Sequence, residues 1–133
     1  MSLNTLSNVG TGCSNGTAQA YTVYPPSGTN TTTIRQGQTY NLSVTTGGTS
    51  QSISVYIDWN HDGDFIDAGE WYGLTGTPPV VQGAGIYTMP ITVPTGLSLT
   101  QFTTGMRVRS RVLGGTSNDA STPCTTYFSG ETV

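Results

Sequence analysis

The sequence predicts an all-β domain, a β-sandwich of two mainly antiparallel sheets in a jelly-roll or immunoglobulin-like arrangement. Its 133 residues include no lysine, only 8% charged residues and 18 glycines, together with many threonines and serines. These residue types favour strands, turns and caps over helix interiors. Short runs in which apolar and polar residues alternate are separated by glycine and proline, as expected for strands joined by turns. No apolar stripe extends over the length of a helix.

The alternating runs place the expected strands in order along the chain. They lie at residues 20–24, 40–44, 53–58, 71–74, 86–93, 105–113 and 125–128, whereas residues 1–19 show little periodicity and residues 97–102 could form a helical turn. In the third run Ile53, Val55 and Ile57 are expected to face the core and Tyr56 the solvent, because alternate side chains point to opposite faces of a sheet. Pro90 cannot donate to a strand ladder, which predicts an edge strand or a bulge.

Between the third and fourth runs, residues 58–70 read Asp-Trp-Asn-His-Asp-Gly-Asp-Phe-Ile-Asp-Ala-Gly-Glu and contain five of the seven carboxylates of the chain. Calcium takes six to eight oxygen ligands at about 2.3 to 2.6 Å, which alternate residues of a tight loop can supply. Asp58, Asn60 and Asp62 fit positions 1, 3 and 5 of an EF-hand loop, and Gly63 permits its sharp turn at position 6. The predicted cofactor is Ca²⁺, with the ligands Asp58, Asn60, Asp62, Asp64 and Glu70.

The second half of this loop departs from the EF-hand pattern. Gly69 occupies position 12, where a bidentate glutamate belongs, and Glu70 follows one residue later. We therefore expect a shifted variant between two β-strands, in which Asp64 and Asp67 bind by side chain, by main chain or not at all. The ion is expected to hold the strand junction in shape with an affinity of the order of 0.1 to 1 mM. Magnesium is disfavoured because it demands stricter geometry. The alternative without an ion is a solvated acidic turn.

Composition and motifs disfavour several classes of function. The net charge is −3, and four arginines do not make a phosphate-binding surface, so nucleic acid is not an expected partner. No apolar run is long enough to span a bilayer, so membrane insertion is not expected. The single histidine, His61, lies among the predicted metal ligands and is expected to face solvent, whereas a catalytic triad needs an oriented base, so no triad is predicted. We predict no catalytic residues, and a hydrolase domain is the least favoured alternative.

Aromatic and arginine side chains supply two further candidate surfaces. Trp59, Trp71 and Tyr72 are clustered in sequence around the loop. They could stack on sugars if exposed, or cover the core. The three arginines within residues 107–111 share one face of a strand, which could dock an acidic partner or form a solvated, salt-bridged face.

Cys13 and Cys124 are the two cysteines and lie near opposite ends of the chain. A disulfide between them would close a loop of roughly 110 residues and stabilise the fold by about 4 to 5 kcal/mol in the chain-entropy model. Such a bond suits an oxidising compartment. The alternative is two buried thiols that do not meet.

The length fits one domain over residues 1–133, large enough to bury its own core. Residues 1–3, Met-Ser-Leu, are interpreted as a leader added in cloning, so the chain is expected to be a fragment of a larger protein whose export signal lies upstream. Its expected location is secreted or at the cell surface, because a loop of this affinity needs extracellular calcium.

Several motifs recur in an order that is typical of one family. They are Gln-Thr-Tyr-Asn-Leu-Ser-Val at 38–44, Val-Tyr-Ile-Asp-Trp-Asn-His-Asp-Gly-Asp-Phe at 55–65 with Glu70, Ile-Thr-Val-Pro at 91–94, Gly-Met-Arg-Val-Arg at 105–109, Pro-Cys at 123–124 and Gly-Glu at 130–131. This order resembles the GEVED domain, a β-sandwich module of large secreted and cell-surface bacterial proteins, named for a Gly-Glu-Val-Glu-Asp sequence near its end. The loop with the Arg-x-Arg strand is the specific part of the resemblance, which covers most of the chain.

The resemblance implies a non-catalytic accessory module of a multidomain protein, of the kind found beside proteases, glycan-active enzymes and adhesin-like repeats. We therefore expect adhesion, or binding of an extracellular glycan or surface protein, next to other domains of the same chain; the alternative is a purely structural spacer. The final motif here is Gly-Glu-Thr-Val at 130–133, and the acidic-aromatic end and closing strand that the family implies do not follow it. We expect an open sheet edge there, which a neighbouring domain or chain could fill.

Overall fold

The computed structural model describes residues 1–9, 20–47, 51–73, 80–81, 83–98, 103–112, 123–124 and 131–132. These residues form ten strands and a short 3-10 helix, Gly28–Asn30. The strands are β1 (Ser2–Leu3), β2 (Leu6–Ser7), β3 (Ala20–Tyr21), β4 (Thr39–Thr46), β5 (Gln51–Ile57), β6 (Trp71–Gly73), β7 (Val80–Val81), β8 (Gly85–Thr92), β9 (Met106–Val112) and β10 (Glu131–Thr132). None of the helices found in this part of the chain is long and apolar enough to cross a membrane. The all-β prediction is confirmed.

Four strands form the first sheet, in the order β2-β1-β4-β8. Strands β4 and β8 pair antiparallel over their full length, with Leu42 opposite Met89 in the buried face. On the other face the hydroxyls of Ser43 and Thr88 are hydrogen-bonded at 2.9 Å. Strand β8 lies last in the order and contains Pro90. The predicted edge position of this strand is therefore confirmed.

The second sheet has the order β3-β10-β9-β5-β6, and β7 also pairs with β5. Strand β10 pairs parallel to β3 and antiparallel to β9, so that Glu131 lies between Ala20 and Ser110. The expectation of an open edge at the final motif is therefore wrong, because β10 is an inner strand of this sheet.

Apolar side chains from both sheets pack into one core between them. Its buried members are Leu3, Leu6, Leu42, Val44, Ile53, Val55, Ile57, Trp59, Met89, Ile91, Val93 and Val108. Burial of a side chain of this size stabilises the fold by about 1.5 to 3 kcal/mol. Two sheets that share one core make the predicted β-sandwich.

Strand β5 is buried on both faces, unlike the other long strands. Ile53 and Val55 face the core as predicted, but Ser52, Ser54 and Tyr56 on the opposite face are also 0% exposed. The predicted solvation of that face is wrong. The alternation of apolar and polar residues along β5 predicts that its two faces differ in polarity. It does not predict which other segments pack over the more polar face.

The first nine residues form a hairpin that the sequence pattern missed. Strand β1 pairs with both β2 and β4, and Leu3 is only 3% exposed opposite Leu42. Asn4 takes a φ of 51° in the turn between β1 and β2. Strands of two residues are too short to show alternation, and whatever the origin of residues 1–3, they contribute to the core. The expected strand at 125–128 lies outside the described residues, as do residues 99–102 of the expected helical turn.

Candidate metal centre

Residues 58–70, the acidic loop, join β5 to β6 and are anchored at both ends. The N–H of Ile57 donates to the carbonyl of Glu70 at 2.9 Å, which closes the loop beside the β5–β6 ladder. The carbonyl of Asp58 accepts the hydroxyl of Thr104, from the segment that leads into β9. The loop is therefore fixed to β5 and to the segment that leads into β9.

Asp58 begins the acidic loop and holds its turn. Its side chain is 6% exposed. Its Oδ1 accepts the N–H of Asp62 at 3.2 Å, and its Oδ2 accepts the N–H of Gly63 at 3.1 Å. Gly63 has a φ of 93°, in the left-handed region that favours glycine, as the predicted sharp turn requires. Both carboxylate oxygens of Asp58 thus bond the backbone of the loop, while His61 is exposed to solvent as predicted.

Three exposed carboxylates converge at the surface of the loop. Asp62, Asp64 and Asp67, the carboxylate trio, each place one oxygen within 4.8 Å of the other two. The pKa of Asp62 is lowered, chiefly by the N–H of Asp64 and then by the amide of Asn60, and both contacts favour the ionised form of this carboxylate. The sequence left open whether Asp67 takes part by its side chain, by its main chain or not at all. In the structure its side-chain carboxylate belongs to the trio. Convergent carboxylate oxygens are the donors that Ca²⁺ takes in proteins.

Asn60 lies between the members of the trio. Its Oδ1 accepts the N–H of Asp62 at 3.1 Å. Its Nδ2 donates to Oδ2 of Asp62 at 2.8 Å and to Oδ2 of Asp67 at 2.6 Å. The side chain therefore directs a donor at two carboxylates, whereas its predicted part as a ligand would need Oδ1 to face the ion.

Glu70 ends the loop with a buried carboxylate. The side chain is 2% exposed, and its Oε1 accepts the N–H groups of Trp59 at 2.8 Å and of Asn60 at 3.5 Å. Among the described residues, its Oε2 has no hydrogen-bond partner. Burial raises the pKa of Glu70, and the nearby carboxylate of Asp58 adds to that rise. A buried oxygen without a partner costs on the order of 1 to 3 kcal/mol.

The four carboxylates among the five predicted ligands thus fall into two groups. Asp58 and Glu70 are buried and bond the backbone of the loop, whereas Asp62 and Asp64 are exposed and converge with Asp67. The spacing of the ligands along the chain could not separate these two groups. Spacing shows which residue types are present, but it does not show which carboxylates accept hydrogen bonds from the backbone N–H groups of the folded loop.

The aromatic residues around the loop differ in exposure. Trp59 is 5% exposed, packs in the core and donates from its indole Nε1 to the hydroxyl of Tyr72 at 2.9 Å. Tyr72 is half-buried. Trp71 is 39% exposed and is held by a bond from its Nε1 to Oγ of Ser54 at 3.1 Å. At 5% exposure Trp59 offers little surface to a ligand, so the interpretation as a sugar contact applies chiefly to Trp71.

Phe65 was not among the predicted functional residues, yet it joins the loop to the second sheet. Its ring contacts Tyr56 edge-on, with 6.2 Å between ring centroids, and the guanidinium of Arg107 lies 4.8 Å from its centroid. Arg107 also donates to the carbonyl of Pro123 at 2.8 Å. The available signal was the pair of large apolar residues, Phe65 and Ile66, in the middle of the acidic loop. Arg109 is 3% exposed, so the arginine face is not fully solvated.

The predicted disulfide remains a prediction. Cys124 is exposed, and its Sγ accepts a hydrogen bond from Nη1 of Arg107 at 3.5 Å. Cys13 lies outside the described residues. The alternative of two buried thiols does not hold for Cys124, because its side chain is exposed.

A groove of about 1360 Å³ opens beside the loop, and Trp59 and Phe65 line it from the loop side. Its described lining includes Tyr24, Arg35 and Arg107 but no carboxylate or histidine. The part of the groove that is described therefore offers no pair of acidic groups for hydrolysis.

Fold and site together define a β-sandwich domain with an acidic loop between two adjacent strands of one sheet. The model of the GEVED domain matches residues 52–133, which is more than half of the chain. The chain belongs to the GEVED domain family, which confirms the resemblance seen in its motifs. No curated protein and no solved structure was found to match it.

Proposed function

We propose that the chain is a calcium-binding, non-catalytic module of a larger secreted or cell-surface protein. The observation that carries the proposal is the carboxylate trio, whose oxygens lie within 4.8 Å of one another at the surface of a loop fixed between two strands. The ion would have an architectural part, because it would neutralise charges that otherwise repel within the β5–β6 connection.

The residues of the loop fit a hard cation. The oxygens that converge in the loop belong to carboxylates, which Ca²⁺ prefers, and neither cysteine nor the exposed ring of His61 is needed. The buried Oε2 of Glu70, at the end of the same loop, lacks a hydrogen-bond partner among the described residues. A bound ion is one of the explanations for such an atom.

Calcium should raise the melting temperature of the domain. If the dissociation constant is about 0.1 to 1 mM, calcium at about 10 mM adds roughly 1.4 to 2.7 kcal/mol to the free energy of unfolding. For a domain of this size, that corresponds to a rise of about 5 to 10 °C. Thermal unfolding with EDTA, and then with excess calcium, measures the shift.

The matched variant is Asp67→Asn, which removes one charge of the trio. It should reduce the calcium-dependent shift, whereas magnesium at the same concentration should produce a much smaller shift in the wild type. Identical melting curves in EDTA and in calcium would exclude the metal site.

A second candidate function is binding of an extracellular glycan, which the exposed face of Trp71 favours. Its indole is 39% exposed and is fixed by Ser54, so a sugar ring could stack on it without first ordering the side chain. A purely structural spacer is the competing alternative.

A glycan array distinguishes binding from a spacer. Binding predicts reproducible hits that Trp71→Ala abolishes, while Ile86→Ala, an exposed residue of the other sheet, leaves them unchanged. An array without hits, or hits that survive Trp71→Ala, would count against this surface.

A further inference from the structure

We propose that Pro90 prevents the outer edge of β8 from pairing with the β8 strand of a second copy of the chain. The inference goes beyond the proposed function, since it concerns the first sheet and does not depend on the acidic loop. Among the described strands, β8 (Gly85–Thr92) pairs only with β4, so its other side is an open edge. Such an edge offers N–H and C=O groups to a further strand.

The length and composition of β8 favour pairing with another copy. The other strands that end a described sheet, β2, β3 and β6, have two or three residues each. Strand β8 has eight residues and no charged side chain, and its Ile86 is 73% exposed. Natural proteins protect long edges of this kind with charged residues, bulges or proline. Because β8 carries no charge, its proline is the residue that can protect it.

Hydrogen bonds at the end of the β4–β8 ladder show which way the main chain of Pro90 points. Val93, directly after β8, donates its N–H to the carbonyl of Gln38 and accepts the N–H of Gly37, both at 2.9 Å. In an antiparallel ladder, residues that bond the neighbouring strand alternate with residues that do not. Counting back from Val93, Pro90 is one of the residues whose main chain points away from β4 and towards the open edge.

Side-chain contacts agree with this assignment. Opposite residues whose main chains do not bond each other bring their side chains closer together. Two such pairs, Ser43–Thr88 and Thr39–Thr92, have hydroxyls hydrogen-bonded at 2.9 Å. Pro90 lies between Thr88 and Thr92 at the same alternation. It therefore removes no bond from the β4–β8 ladder, but it removes a donor from the open edge.

The missing donor interrupts pairing between two copies of β8. The open edge offers the N–H groups of Ile86, Thr88 and Thr92, with a gap at Pro90. Two copies that pair antiparallel from Ile86 to Thr92 would place Pro90 of each opposite Thr88 of the other. Each Thr88 carbonyl would then lack a donor, and the pyrrolidine ring would occupy the space of the missing hydrogen. A register that avoids Pro90 leaves only Ile86 and Thr88 of each copy, which is too short to be stable in water.

The variant Pro90→Thr restores the donor with a residue that favours strands. The wild type should remain monomeric in sedimentation velocity experiments at concentrations up to about 1 mM. Self-association should be stronger in Pro90→Thr by roughly tenfold or more, because one hydrogen bond is restored in each copy. The matched control, Pro26→Thr, replaces an exposed proline outside the strands and should remain monomeric.

A double variant identifies the surface involved. Thr88→Pro combined with Pro90→Thr moves the gap by two residues along the same edge, and it should restore the monomer. Thermal unfolding of each variant shows whether it is folded. Pro90→Thr that is folded and remains monomeric would overturn the inference, and so would association that persists in the double variant.

Hydrogen exchange tests the open edge in the wild type itself, whether or not the variants fold. The amides of Thr88 and Thr92 point to solvent and should exchange much faster than those of Met89 and Ile91, which bond β4. Equal protection of these two sets of amides would show that another segment or copy already covers the edge, and that Pro90 does not keep it unpaired.

Discussion

Glu70 is a residue of the loop whose ionisation should make the stability of the domain depend on pH. Burial raises the pKa of its carboxyl group, with a further contribution from Asp58. The folded protein without an ion therefore binds a proton at this site at a higher pH than the unfolded chain does. It follows that the contribution of Glu70 to stability is fully present below its unfolded pKa and is lost as the pH rises through its raised pKa.

Glu70→Gln should therefore stabilise the ion-free domain at pH 7 and leave its stability nearly unchanged at about pH 4, below the unfolded pKa of glutamate. The neutral amide still offers an oxygen to Trp59, but it avoids a buried charge beside Asp58. A rise in melting temperature of about 3 to 5 °C at pH 7 is expected for roughly 1 kcal/mol. Thermal unfolding in EDTA across this pH range checks it.

The difference in melting temperature between wild type and Glu70→Gln separates the effect of Glu70 from the effects of the other acidic residues. The pKa of Asp62 is lowered, so its contribution has the opposite sign and is lost as the pH falls. The contribution of Asp62 is the same in both proteins, so it cancels in the difference. In calcium the order should reverse, because the variant lacks a charge near the ion. A difference in melting temperature that does not change with pH would contradict the assignment.

At the scale of elements, the acidic loop does more than connect β5 to β6. Its Trp59 enters the core between the sheets, and its Phe65 packs on Tyr56 beneath the guanidinium of Arg107. Each of these two side chains directly follows an aspartate in the sequence. The loop therefore directs apolar residues to the two faces of the second sheet while its carboxylates converge at the surface.

This arrangement explains which parts of the structure the sequence predicted. The strands around Leu42, Val55 and Val108 were predictable because each has one face in a shared core, which produces clear alternation. Strands β1, β2, β7 and β10 have two residues each, too few for any period to appear. The burial of Tyr56 depends on a loop that folds back over it, a contact between segments that no local pattern records.

The same reasoning applies to the site. The spacing of the acids predicted a turn around Gly63 with converging oxygens, because side chains at alternate positions of a tight turn point inward. It did not predict that Asp58 would be satisfied by two backbone N–H groups or that Asp67 would join the trio. The bonds of Asp58 depend on where the folded loop places its backbone N–H groups, which spacing does not show. The position of Asp67 could not be predicted from the EF-hand pattern, because the loop departs from that pattern after Asp64.

For the whole molecule, the loop is part of the common core and not an appendage. Trp59 packs with residues of both sheets. The hydroxyl of Thr104 bonds the start of the loop to the segment before β9, and the carbonyl of Glu70 bonds the end of the loop to Ile57 of β5. Loss of the ion should then weaken the sandwich as one unit, because small domains with a single core unfold cooperatively.

Hydrogen exchange provides the measurement at this scale. Amides that exchange only by global opening should gain protection in calcium throughout the molecule, including that of Leu42 in the first sheet, which carries no predicted ligand. The gain in free energy at Leu42 should equal that at Val55, beside the loop, and both should match the increase in global stability from thermal unfolding. Protection that rises only within residues 57–72 would instead show that the ion orders its own loop locally, and that Trp59 does not couple the loop to the rest of the fold.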